Sequence, residues 1–324
     1  MSLASPSLLV RLTGIATILL SLSQPAMSQT DCDRSCMKET LDDYLAALVS
    51  HAPTDAPLAS IYRHTENDNV QPAGEGLWKT ATALGAMQRQ YFDEITHNAA
   101  YYGIIEESGV RAVVAGRIHI ENREITEAEW FVGRESDPGV DSTPGGTLWD
   151  ADYLTTGNPP LDRIVPTAER STREELTYIT NSYWDYIVDR NPAIVAAHPG
   201  CYREENGQKT VGNPLPPERI NDGGLDGLSD CRSGSSTFNV QNITARRWHV
   251  VDVEQQVVVA SALFVREPGH SKRRNHFCDV FYMDGGKLRG LYTAMYYVPP
   301  TRPVPNWPPY AGNFPLAESF GPTK

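Results

Sequence analysis

The sequence predicts an α+β protein built from two tandem copies of one unit, each with N-terminal helices packed on a curved antiparallel sheet. Three observations carry that reading: a repeated helix at constant offset, a repeated Glu-Asn turn, and β-branched runs that close each copy. Residues 44–53 (YLAALVSHAP) parallel residues 183–192 (YWDYIVDRNP) at an offset of 139, without a gap. At the same offset Glu66-Asn67 falls on Glu205-Asn206. A register held over so many residues marks an internal duplication, and a duplication determines the fold reading before any single element does.

The elements follow in chain order. Residues 1–28 read as a signal peptide: Arg11 is the positive flank, Leu12 to Leu22 the apolar stretch, and Ala26-Met27-Ser28 the small-x-small cleavage pattern. That apolar stretch is shorter than the roughly 20 residues a membrane-spanning helix needs, so export is expected rather than anchoring. Residues 29–134 form the first unit. Its helix carries Met37, Leu41, Tyr44, Leu45 and Leu48 at i, i+3/i+4 spacing. Residues 135–169, rich in Pro and Gly, read as a linker or wrapping segment. Residues 170–300 are the second unit. Its helix is predicted to start at a Ser171–Glu174 capping box and to carry Leu176, Ile179, Tyr183 and Ile187 on one stripe. Pro53 and Pro192 end the two helices. Asp284-Gly285-Gly286-Lys287 predicts a hairpin, and residues 301–324 form a Pro-rich tail.

In the later strands, residues 104–106 align with 250–252 at offset 146, Val113-Val114-Ala115 with Val259-Ala260-Ser261, and residues 125–132 with 288–295. Alternation along the first copy places Val113, Ala115, Arg117 and His119 on one sheet face, and Val114, Gly116, Ile118 and Ile120 on the other.

Composition narrows the function. A formal charge of −12 over 324 residues, moving to −13 once residues 1–28 and their single Arg are removed, opposes phosphate backbones and anionic lipid. Lys272-Arg273-Arg274 is too short a basic run to be a nucleic-acid footprint. Five cysteines in an exported chain predict a Cys201–Cys231 disulfide around a Gly/Asn/Pro-rich loop and Cys278 as the odd, buried thiol; a local Cys32–Cys36 bridge is geometrically tight at that spacing, and the sequence leaves it open. No nucleophile elbow, His-Glu-x-x-His, phosphate loop, dinucleotide fingerprint or Cys-x-x-Cys pair occurs. A cofactor is therefore not expected, and a metal site near His64 would need three converging ligands.

A helix, a charged turn with an Asn, a second helix and a curved sheet resemble the NTF2-like (SnoaL or polyketide-cyclase-like) cone fold, over both units. The segments CDRSCMKETLDDYLAALVSH, YRHTENDNVQPAGEGLWKT and CYREENGQKT are further similar to a family of secreted fungal and bacterial proteins classed as a domain of unknown function. The resemblance implies a cone-shaped pocket in each unit, an extracellular or periplasmic location and no particular reaction.

On the polar residues expected to line a cone, the first copy stands out. Tyr44, His64, Glu66, Asn67, Trp78, Arg117, His119 and Glu129 are the candidates. His119 with Glu129, or His64 with Glu66, would move a proton, and Arg117 and Tyr44 would donate to developing oxyanion charge. The alignment gives Leu263, Val265 and Tyr292 in place of Arg117, His119 and Glu129, so the first cone is the expected site. The recurring Glu-Asn pairs read as turn-closing residues. Two functions follow: a secreted cofactor-free acid/base enzyme (lyase, isomerase or hydrolase) on a small apolar or aromatic compound, or an extracellular binding module. In either case the units are expected to pair within the chain.

Overall fold

A computed structural model describes residues 32–211, 230–233, 240–266, 271–300, 302 and 307. The signal-peptide reading, and the tail reading apart from Arg302 and Trp307, lie outside the described residues. The first unit comprises α1 (Arg34–Val49), β1 (Leu58–Glu66), β2 (Asn69–Gln71), the one-turn α2 (Leu77–Thr80), β3 (Ala83–Asp93), β4 (Asn98–Glu107), β5 (Val110–Glu121) and β6 (Glu124–Arg134). The second comprises α3 (Arg173–Asp189), β7 (Ala197–Glu205), β8 (Gln208–Val211), β9 (Asn242–Asp252), β10 (Val257–Val265), β11 (Arg274–Asp284) and β12 (Lys287–Val298). Each makes a six-stranded mixed sheet, ordered β2-β1-β6-β5-β4-β3 and β8-β7-β12-β11-β10-β9, with the first long strand parallel to the last. The two topologies are identical. Together they are two tandem cone-fold domains.

Local chemistry explains the repeated parts. Asp33 caps α1 by accepting from Cys36 N. The box on α3 is shifted by one residue from the expected Ser171–Glu174: Thr172 Oγ1 accepts from Glu175 N, and Glu175 Oε2 accepts from Thr172 N. The stripes on both helices are buried. Asn67 and Asn206 both take left-handed φ values (47° each), the conformation a tight β1–β2 or β7–β8 hairpin needs. Their side chains then stitch the parallel pair. Asn67 bonds Val132 N and O, and Asn206 bonds Met295 N and O. Cys32–Cys36 and Cys201–Cys231 are bonded, while Cys278 is free and buried.

Each sheet has two buried faces. One carries its own helix: α1 packs on Ile105, Val114, Ile118, Trp130 and Val132, and α3 on Trp248, Phe277, Phe281 and Leu291. The other faces meet each other, joining Tyr102, Val113, Ala115 and Phe131 of the first sheet to Val259, Val280, Tyr292 and Tyr296 of the second in one core. The ends of this contact are reciprocal. Arg34 and Phe92 N both donate to Asp252, at 2.8–3.0 Å. Arg173 and Val251 N both donate to Asp93, at 2.8–2.9 Å. A helix-start Arg reaching the strand-end Asp of the other unit, twice, is the pattern of an isologous dimer held in one chain. Residues 150–165 run beside this junction, where Asn158 and Leu161 accept from Tyr292 and Tyr282.

One buried acid makes the junction pH-sensitive. Glu204 is fully buried on the inter-sheet face, and burial pushes its carboxyl up to about 8 despite a 2.7 Å bond from Asn158. The folded chain keeps that proton up to about pH 8, whereas an exposed Glu gives it up near 4.3. The native state therefore binds the extra proton between those values. The contribution of Glu204 to stability is greatest below the lower one and falls as pH rises through the window. Glu204→Gln is expected to melt above wild type by a margin that widens from pH 5 to pH 8 and then stays constant, read by thermal melts across that range. A margin independent of pH would contradict this.

Candidate functional site

The interior of each cone lies between a helix and its sheet, so only residues on the helix-facing side can meet a ligand there. Tyr44, His64, Glu66 and Trp78 are on that side of the first unit. Arg117, His119 and Glu129 are not. They occupy the opposite face, with Val113 and Ala115, against or beside the second sheet. Alternation grouped these residues as expected, but the helix covers the other group. Arg117 Nε donates to Glu129 Oε2 at 3.2 Å, and Arg117 also pairs with Glu127 at 2.7 Å. Arg247 of β9 reaches Glu129 from the other unit. His119 sits at the rim, bonded to Asn98 and Glu121 at 3.0 Å each. The His119–Glu129 pair proposed for proton transfer is thus not brought together in a cone.

The strand alignment also needs correction. β5 corresponds to β11, not β10. The ladders pair Arg117 with Glu129 and Val280 with Tyr292, and they pair His119 with Glu127 and Tyr282 with Gly290. The counterparts of Arg117, His119 and Glu129 are therefore Val280, Tyr282 and Tyr292. The longer β8–β9 connection raises the offset from 139 to 159 (Ala100 on Val259), and the Val-rich strands hide the slip.

Aromatic rings pack the interior of the first cone. Trp130 lies over Tyr44 with ring centroids 6.1 Å apart and donates Nε1–H to the Tyr44 hydroxyl at 3.2 Å, while Trp78 packs edge-on to Tyr44 at 5.0 Å. Tyr44 also bonds Tyr62 at 3.0 Å, and burial raises the Tyr44 phenol to about 12. Gly116 is what admits the indole: a Cβ there would stand 2.3 Å from the Trp130 ring. Glu66 accepts from Leu77 N at 2.7 Å and from Arg134 at 2.9 Å, which ties the hairpin to α2 and β6. His64 is buried with neither ring nitrogen bonded, and burial lowers it to about 4, so it is a neutral imidazole at pH 7.

The second cone is hollow, and two substitutions make it so. The ladders place Trp130 beside Glu66 and Gly116, and Thr293 beside Glu205 and Asp279. Where the first unit has Gly116 and Trp130, the second has Asp279 and Thr293. A cavity of about 30 Å³ results, bounded by Trp184, Phe264, Phe277, Leu291 and Met295 on its apolar side and by Arg203, Glu205, Asn275, Asp279 and Thr293 on its polar side. Asp279 stands in its wall. Trp184 Nε1–H donates to Oδ2 at 3.0 Å and Thr293 Oγ–H to Oδ1 at 2.6 Å. Burial still dominates and raises the carboxyl to about 7, so both protonation states are populated near neutrality. Opposite it, Arg203 takes the place of His64. It pairs with Glu205 at 2.7 Å and donates to the Tyr183 hydroxyl at 3.0 Å. Sequence reasoning named none of this set as catalytic, although Glu205 and Tyr183 were visible as copies of Glu66 and Tyr44. Correct alignment of Gly116 with Asp279 would have exposed it.

The second cone thus holds a cavity whose wall carries a carboxyl raised to about 7 and the Arg203–Glu205 ion pair, in a unit of NTF2-like topology. Residues 169–295, α3 through most of β12, match the family model of a domain of unknown function (DUF8021). No curated protein matches the chain. Solved structures similar to it include the following three. An NTF2-like protein of unknown function from Cytophaga hutchinsonii is 13% identical with a TM-score of 0.25, over 30% of this chain and 89% of that one. A protein of unknown function with a cystatin-like fold from Methylobium petroleophilum is 14% identical with a TM-score of 0.29, over 42% and 99%. A de novo designed protein with a curved β-sheet is 14% identical with a TM-score of 0.26, over 30% and 85%.

Proposed function

We propose that the chain is an exported small-molecule pocket protein whose working hollow is the second cone, with Asp279 as the group that takes and returns a proton. One observation carries this reading: the unit that lacks the Trp130 plug has a buried carboxyl in the space the plug would occupy. General acid–base chemistry wants a group whose pKa lies near the working pH, and a dry apolar wall is how a protein raises a carboxyl to that value. Tyr183 and Arg203 supply donors for charge developing on a bound oxygen. The apolar wall suits a small, largely apolar or aromatic compound. Two disulfides fit an oxidising compartment, and no described helix is long and apolar enough to cross a membrane.

The non-catalytic alternative, a binding module, is favoured by one feature: both Asp279 oxygens already accept bonds from the protein. Native mass spectrometry of the protein from its own medium, followed by turnover assays on any retained compound, separates the readings. An enzyme is expected to show a rate that depends on a group titrating near 7, and Asp279→Asn is expected to lose about 10²–10⁴ of it. Undiminished turnover in Asp279→Asn removes the proton-transfer role. Retention of the compound without turnover leaves the binding module.

A further inference from the structure

Outside the cones, three guanidiniums converge between the sheets. The guanidinium carbons of Arg63, Arg117 and Arg247 stand 4.4, 4.8 and 6.0 Å from the centroid of one ring, that of Trp307 from the C-terminal segment. Trp307 is buried, and its Nε1–H donates to Thr65 Oγ at 2.8 Å. Arg247 is 1% exposed, yet only its Nη2 is satisfied, by Glu129 and Ser261; Nε and Nη1 have no acceptor. Cation–π contact with an indole is worth about 0.5–2 kcal/mol and offers no lone pair to those N–H groups. Leaving donors of a buried charged group unmet costs at least as much.

We infer that this socket is an oxyanion site in which the chain's own Trp307 holds the place of a small carboxylate or inorganic oxyanion. Such an anion supplies both things the indole lacks, negative charge among the guanidiniums and acceptors for Arg247 Nε and Nη1. Arg117 remains anchored on its far side by Glu127 and Glu129, so an entering anion meets a guanidinium already fixed in place. The site is separate from the second cone, and its test is independent of that reading.

Sodium sulfate and sodium acetate, in separate arms at low ionic strength, are titrated calorimetrically into the full chain and its variants. Trp307→Ala is expected to bind one anion per chain at least ten-fold more tightly than wild type, with the tighter arm naming the anion class. Adding Arg247→Met to Trp307→Ala is expected to abolish that gain. Thr65→Val removes the indole's acceptor while leaving the ring, and is expected to give a smaller gain in the same direction; it serves if Trp307→Ala does not fold. Equal affinity in wild type and the folded Trp307 or Thr65 variant overturns the proposal, as does tight binding that survives loss of Arg247.

Discussion

Glu129→Ala is expected to destabilise the protein by about 3–5 kcal/mol, the cost of breaking a buried ion pair by removing one partner. Glu129 is 2% exposed and is shared between Arg117 of its own sheet and Arg247 of the other. Without it Arg117 keeps Glu127, but Arg247 keeps only the Ser261 hydroxyl. The stranded charge, more than the lost attraction, sets the penalty. Glu127 makes the informative comparison: its side chain is 31% exposed, so water can replace it, and Glu127→Ala is expected to cost no more than about 1 kcal/mol. Urea unfolding of the two variants measures both. Removing both charged partners, as in Glu129→Leu with Arg247→Met, is expected to recover part of the loss. Equal costs for Glu127→Ala and Glu129→Ala would mean that the cluster is not sealed between the sheets.

Thr293→Trp is expected to empty the second cone of any ligand, because it places an indole where Trp130 fills the first. Alone the substitution meets Asp279 across the ladder, and such overpacking costs roughly 1–3 kcal/mol. Adding Asp279→Gly recreates the Gly116–Trp130 pairing of the first unit. The double variant is therefore expected to be more stable than Thr293→Trp alone, the non-additivity expected of two residues in contact that share one space. Thermal melts of the single and double variants, together with binding of any compound retained by wild type, report both effects. Independent, additive melts would show that Asp279 and Thr293 do not face the same hollow.

The duplication, both helix stripes, the Glu-Asn turns and the Cys201–Cys231 disulfide were legible in the sequence because each rests on residue spacing along the chain, while the Cys32–Cys36 bridge was left open there and is formed. Asn67 and Asn206 illustrate the gain: their recurrence implied a turn-closing role, and each bonds the last strand of its own sheet. What escaped was long-range. Which face of β5 the helix covers depends on how the chain folds back, so Arg117 and Glu129 had the right neighbours on the wrong side. The slip of β5 onto β10 had a different cause: β10 carries a Val-rich run that matches Val113-Val114 of β5 by residue type, whereas its true counterpart β11 has only Val280. That slip hid Asp279 and directed attention to the first cone, whose polar residues tie turns and pack a filled core.

Xenon binding in crystals tests most directly whether one cone is hollow and its copy plugged, because the gas settles against apolar walls such as Trp184, Phe277 and Leu291 without needing a known ligand. The account predicts a xenon site beside Trp184, Phe277 and Leu291, none beside Trp130, and loss of the site in Thr293→Trp. Xenon lodged in the first cone, or in neither, would contradict it.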